Sequence, residues 1–137
     1  MNDEPKILLL EDDPARIAWF RQAALHAGTP MLEAVTAADG LKLLREHTFT
    51  QIFLDHDLAD AHYRVYDGVT YDDSIEEETG MALAKYLAEN PDASPNAEIV
   101  IHSFNEPAAK EMARHLHKAR RRYRIATFGV LQASVKL

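Results

Sequence analysis

The sequence predicts one α/β domain built on a doubly wound, five-stranded parallel sheet, and three observations carry that expectation. Short apolar runs recur along the chain between segments of helical pattern. Each run is near-continuously apolar rather than alternating, as strands covered on both faces are, and each is too short to be a buried helix. The intervening segments carry helical periodicity and cap signals.

The elements follow in order. Ile7 to Leu10 reads as the first strand. Asp13 before Pro14 then gives an N-cap with proline at the first helical position; Ile17, Phe20 and Ala24 mark one helix face, and Gly28 stops it. Met31 to Val35 is the second strand, and Leu41 and Leu44 anchor a helix before the third, Ile52 to Leu54. Leu83, Ala84 and Leu87 give a weaker helical pattern. After the fourth strand, Ile99 to Ile101, residues Ala109, Met112, Ala113 and Leu116 match the i, i+3, i+4, i+7 template in full. Ile125 to Phe128 completes the set. Right-handed crossovers wind this succession into a doubly wound sheet, with expected strand order 2-1-3-4-5. Nine residues follow Phe128, Gly129 among them, so the last helix is expected to be short or missing.

Between the third strand and the next helix lies an insertion at about residues 59–78. Its centre, Arg64-Val-Tyr-Asp67-Gly68-Val-Thr-Tyr71, places Asp-Gly between alternating β-formers and predicts a small β-hairpin. Seven acidic residues and one arginine decorate it. Tyr63, Tyr66 and Tyr71 can stack on a base there, or serve as ordinary cross-strand aromatics of a solubilising hairpin.

Composition narrows the functional classes. With 137 residues, 47% hydrophobic and 27% charged, the chain is sized for a single domain, 1–137, with its own core. The absence of cysteine excludes disulfides, thiolate metal sites and a Cys nucleophile, so any metal must use oxygen and imidazole. No apolar run approaches the roughly 20 residues of a membrane span, and a cytoplasmic location with no membrane partner is expected. The net charge of -7 hides an asymmetry: residues 1–106 hold seven basic against 21 acidic side chains, residues 107–137 eight against one. An acidic body disfavours general binding to nucleic acid. The basic run Arg114, Lys118, Arg120, Arg121, Arg122 and Arg124 falls toward the carboxyl end of the last long helix. It complements the helix dipole there, or docks an acidic partner or distal RNA.

In open α/β sheets ligands bind beyond the carboxyl ends of the strands, beside the topological switch point. That rule selects Glu11, Asp12 and Asp13 after strand one, Asp55, His56 and Asp57 after strand three, and His102, Ser103 and Asn105 after strand four. Crowded carboxylates repel one another unless a hard cation relieves them, which points to Mg²⁺ or Mn²⁺ completed by a phosphate oxygen. Glu11, Asp12 and Asp55 are the expected metal ligands. Ser103 and the helix starting near Glu106 are placed to hold phosphate. A histidine facing that phosphate, His56 or His102, can act as general acid or base near neutral pH.

These residues resemble a known family. Lys6-Ile-Leu-Leu-Leu-Glu11-Asp12-Asp13 before a helix, Ile52-Phe-Leu-Asp55, and Ser103 after strand four are similar to response-regulator receiver domains, with a flavodoxin-like fold, over nearly the whole chain. The resemblance implies that Glu11 and Asp12 bind metal, that Asp55 accepts a phosphoryl group, and that Ser103 contacts it. The receiver lysine after strand five is missing: residues 124–130 read Arg-Ile-Ala-Thr-Phe-Gly-Val. A closer resemblance is to the cyclic-phosphate processing receiver domains, carried by Leu54-Asp55-His56-Asp57-Leu58, Thr79-Gly80, and His102-Ser103 with Asn105. It implies catalytic Asp55, His56, Asp57, His102 and Ser103, and substrate contacts from Ser103, Asn105, Thr79 and Gly80.

Three functions are therefore expected, in order. The first is a metal-dependent phosphoesterase acting on cyclic or terminal phosphates of a nucleotide or RNA end. The second is a stand-alone receiver phosphorylated on Asp55 by a histidine kinase or phosphotransfer protein in a phosphorelay. The third is an interaction module in which the polar site is a remnant.

Overall fold

The computed structural model describes residues 5–55, 79–103 and 105–134. Five parallel strands, β1 (Ile7–Leu10), β2 (Met31–Ala34), β3 (Gln51–Leu54), β4 (Glu98–Ile101) and β5 (Tyr123–Ile125), form one sheet in the order β2-β1-β3-β4-β5. The helices between and after them are α1 (Pro14–Ala27), α2 (Ala37–Glu46), α3 (Gly80–Glu89), α4 (Glu106–Lys118) and α5 (Phe128–Ser134). The predicted hairpin at about 59–78, and with it His56 and Asp57, lies outside the described residues.

The apolar runs form strands because both faces of the sheet are covered. Leu8, Leu10, Ile52, Leu54, Ile99 and Ile101 pack with Leu44 of α2, Leu83 and Leu87 of α3, and Met112 and Leu116 of α4. The alternate residues Ile7, Leu9, Phe53 and Val100 pack with Ile17, Phe20 and Ala24 of α1 and Leu131 of α5. Each fully buried Leu, Ile or Phe of these layers contributes about 1.5–3 kcal/mol relative to exposure. No helix among the described residues is long and apolar enough to cross a membrane.

Two helix ends bear on the site. Asp13 caps α1, its carboxylate accepting from the Ala15 and Arg16 amides at 2.9 and 3.1 Å. Gly28 closes the same helix with φ of 69°, a left-handed conformation that glycine adopts without a Cβ clash. At the other end of the chain, α5 is seven residues long, as short as expected.

The fifth strand corrects the sequence expectation of Ile125 to Phe128. Tyr123, Arg124 and Ile125 are the residues that pair with Ile99, Val100 and Ile101, while Phe128 opens α5. The cause is position in the sheet. β5 is an edge strand with Ile125 46% exposed, so it has no need of the two-sided apolar run by which the central strands are recognised. Phe128 is apolar for another reason, since its ring packs edge-on against Trp19 of α1 at 5.3 Å between centroids.

Candidate metal and phosphate site

Three strands end level with one another, Leu10 beside Leu54 and Leu54 beside Ile101. The next residue of each remains in the backbone ladder: the Glu11 N–H donates to Ala34 C=O at 3.1 Å, Asp55 N–H to Leu10 C=O at 3.2 Å, and His102 N–H to Leu54 C=O at 2.9 Å. Successive side chains on a strand point to opposite faces. With Leu10, Leu54 and Ile101 committed to the layer of α2, α3 and α4, Glu11, Asp55 and His102 therefore form a row on the α1 side. All three are buried, and one ligating atom of each lies within 4.8 Å of the others.

Glu11 is held from every side. One carboxylate oxygen, Oε2, accepts from the Asp12 and Asp13 amides, both at 3.1 Å, and Oε1 lies 2.9 Å from His102 Nε2. Burial alone would raise the Glu11 carboxyl, but the hydrogen bond and charge of His102, the Asp13 amide and the Arg16 guanidinium outweigh it, and the net direction is downward. Glu11 is accordingly ionised and can only accept, so His102 Nε2 donates.

Burial is also the largest influence on His102 and lowers its pKa; the Glu11 carboxylate opposes this without overcoming it, and Arg16 pushes further down. The ring is fully buried against Phe20 and Phe53, with centroids 5.3 and 6.5 Å away. Nδ1 has no hydrogen-bond partner among the described residues. A proton there would be a buried, unpaired N–H, which favours the neutral imidazole carrying its proton on Nε2. His102 thus meets the site through Glu11.

A cation not anticipated from the sequence completes the arrangement. Arg16, in the first turn of α1, brings Nη1 to 3.5 Å from Glu11 Oε1 and 3.8 Å from Asp55 Oδ2, with Nε 3.9 Å from Asp13 Oδ2. The signal that could have found it is its spacing: one turn beyond the Asp13 cap, on a helix that starts directly above the strand ends.

The remaining predicted residues lie where the chain leaves β1, β3 and β4 or enters α3 and α4. Gly80 begins α3 so close to the end of β3 that a Cβ there would lie 2.2 Å from the Asp55 carbonyl oxygen; only glycine permits the approach. Thr79 caps that helix, its hydroxyl accepting from the Met81 amide at 3.2 Å, and is buried. Ser103, buried as well, accepts from the Asn105 amide at 3.0 Å, and Asn105 caps α4 by accepting from the Ala108 amide at 3.2 Å. Asp12 is half-buried at the start of the loop into α1.

The donor set suits a hard divalent cation, since it is rich in carboxylate oxygen. Asp55 would ligate directly, whereas Asp12, the other ligand expected from the sequence, is not part of the cluster formed by Glu11, Asp55 and His102. Glu11, whose acceptor positions already serve two amides and His102, would add charge from behind.

Acids at the ends of β1 and β3 and a hydroxyl after β4, at the carboxyl edge of a 2-1-3-4-5 parallel sheet, define a receiver domain. More narrowly, the chain belongs to the cyclic-phosphate processing receiver domain family, whose family model matches residues 7–118. Solved structures share the fold at low identity. A CheY-like response regulator receiver domain protein from Methanospirillum hungatei JF-1 has a TM-score of 0.63 at 18% identity, over 97% of this chain and 91% of the other. The chemotaxis protein CheY4 of Vibrio cholerae gives 0.64 at 12% identity, over 97% of both chains. A response regulator from Burkholderia pseudomallei, solved with a phosphorylated aspartic acid, calcium ion and citrate, gives 0.62 at 18% identity, over 96% of this chain and 66% of the other. No curated protein matches the chain.

Proposed function

We propose that this domain processes a cyclic or terminal phosphate of a nucleotide or RNA end at a divalent-metal site built on Asp12 and Asp55, backed by Glu11. The observation that carries the reading is the buried row of Glu11, Asp55 and His102 across three strand ends, its ligating atoms within 4.8 Å of one another. Membership of a family described as processing cyclic phosphates supports the substrate class. The acidity of the chain suits a small nucleotide or a strand end better than a long duplex.

Hydrolysis of a 2′,3′-cyclic phosphate joins a water oxygen to phosphorus as the water loses a proton, breaks one P–O ester bond, and delivers a proton to the leaving ribose oxygen, which becomes a hydroxyl. A Mg²⁺ or Mn²⁺ ion at the acids would supply Lewis acidity at the phosphoryl oxygen. Ser103 accepts from the Asn105 amide, so its own O–H is the donor to a phosphate oxygen. Asn105 caps α4 two residues beyond it, and Asn105, Thr79 and Gly80, at the starts of α4 and α3, are assigned contacts to the substrate. His56, next to Asp55 in sequence, is assigned the proton transfers, with Asp57 orienting it. His102 acts as a positioning residue that holds Glu11. A cytoplasmic setting belongs to the same reading.

The test is Mg²⁺- or Mn²⁺-dependent hydrolysis of 2′,3′-cyclic nucleotides and of RNA ending in a cyclic phosphate. Turnover that disappears in Asp55→Asn and falls steeply in His56→Ala is expected. An inactive wild type, or an Asp55→Asn variant as active as wild type, overturns the proposal.

A second reading is favoured by the same Asp55 and by the phosphorylated aspartic acid of the Burkholderia pseudomallei structure. In it, an Asp55 oxygen attacks phosphorus as the bond to the donor breaks, the donor being a histidine kinase or phosphotransfer protein. Labelling of Asp55 by acetyl phosphate, without cyclic-phosphate turnover, would decide for it.

A further inference from the structure

The Arg16 guanidinium is used by neither reading. Its location is electrostatically unusual, because the first turn of a helix carries partial positive charge and disfavours a cation. What offsets this are the carboxylates of Glu11, Asp13 and Asp55, each within 4 Å of a guanidinium nitrogen. The side chain is 26% exposed while those of Glu11 and Asp55 are 0% and 3% exposed. Arg16 is therefore the partly exposed member of a group whose Glu11 and Asp55 carboxylates are buried.

The contacts are also of a particular kind. Its three ion pairs to Glu11, Asp13 and Asp55, at 3.5–3.9 Å, are in the range of loose pairs. On the same helix Arg21 grips Glu33 through two hydrogen bonds of 2.6 and 2.7 Å. A guanidinium shared among several acids is compensating charge more than it is fixing geometry, and a divalent cation at Asp55 would both replace that compensation and repel it.

We propose that Arg16 is a phosphate-anchoring residue: it neutralises the acidic row while no cation is bound, and turns its planar fork to the phosphate oxygens of a phosphoester once a cation has taken up Asp55. The inference rests on the metal and phosphate reading above. A phosphate offers the guanidinium the bidentate partner that matches its geometry, which a lysine at the same place would not exploit. The two states predict effects of opposite sign, which a purely structural arginine would not give.

The experiment uses the full chain with Mg²⁺ and inorganic phosphate as probes. Mg²⁺ affinity is read by calorimetry, and phosphate binding to the Mg²⁺-loaded protein by ³¹P NMR. Arg16→Ala is expected to bind Mg²⁺ up to about fivefold more tightly, having lost a competing partly exposed charge. It is expected to bind phosphate about tenfold or more weakly. Arg16→Lys, which keeps the charge and loses the fork, should restore wild-type Mg²⁺ affinity but not phosphate affinity, and serves if the alanine variant fails to fold. An Arg16→Ala variant whose phosphate affinity is unchanged or whose two affinities move in the same direction, or an Arg16→Lys variant with wild-type phosphate affinity, overturns the anchoring role alone. A wild type that binds neither Mg²⁺ nor phosphate overturns the metal-site reading and the anchor together.

Discussion

Acidification is expected to weaken the fold through His102. In the native state this ring is neutral because burial holds its pKa below the ordinary value of 6.5. In the unfolded chain it takes up a proton near 6.5. Below that pH the unfolded state binds more protons than the folded one, so stability falls with decreasing pH from 6.5 down to the depressed folded value. It is unaffected by this group above 6.5. The slope for one proton is about 1.4 kcal/mol per pH unit, a sizeable part of the roughly 5–15 kcal/mol that stabilises a domain. Urea unfolding in the presence of a chelator, at a series of pH values from 7.5 to 5, measures it. The probe is the fluorescence of Trp19, the single tryptophan, whose ring packs edge-on against Phe20 and Phe128. The comparison protein is His102→Leu, which fills the space against Phe20 and Phe53 and cannot titrate. The other six histidines are common to both proteins and cancel in the difference. Loss of the His102 donor also raises the Glu11 carboxyl in the variant, which favours its folded state in acid and widens the gap. Parallel stability curves for the two proteins would refute the neutral, buried assignment, as would a wild type that gains on the variant as pH falls.

Two further outcomes test the backbone that frames the site. Gly80→Ala places a Cβ 2.2 Å from the Asp55 carbonyl oxygen, and the start of α3 must retreat. About 1–3 kcal/mol of overpacking, offset by up to about 1 kcal/mol of helix propensity, should lower the urea midpoint, and Mg²⁺ affinity measured by calorimetry should fall with it. Asp13→Ala removes the acceptor for the Ala15 and Arg16 amides and should cost about 1 kcal/mol in the same unfolding assay, while phosphate turnover persists.

The central strands and the ends of α1 were legible because each follows from local chemistry: two-sided apolar runs for β1, β3 and β4, and Asp13-Pro14 with Gly28 for the helix. The fifth strand was displaced because an edge strand lacks the two-sided signature, and the apolar Phe128 beyond it belongs to a helix. The site divides along the same line. That Glu11, Asp55 and His102 meet follows from where the strands stop, which periodicity reveals. That His102 is joined to Glu11 depends on the register across three strands, Leu10 to Leu54 to Ile101, which no single segment records. Arg16 was overlooked for a similar reason. Its contacts depend on how α1 sits over the sheet, and its spacing from Asp13 matters only once that placement is known.

The ladder hydrogen bonds of Glu11, Asp55 and His102 have an evolutionary consequence. Because these residues are tied to the sheet by their own backbones, the buried row is part of the scaffold, whereas the stretch between Asp55 and Thr79 joins two anchored points. The backbone positions of the row are set by those ladder bonds and not by the length of that stretch. The part of that connection beyond Asp57 can therefore be rewritten to change what is recognised, while the buried row of Glu11, Asp55 and His102 is inherited with the strands.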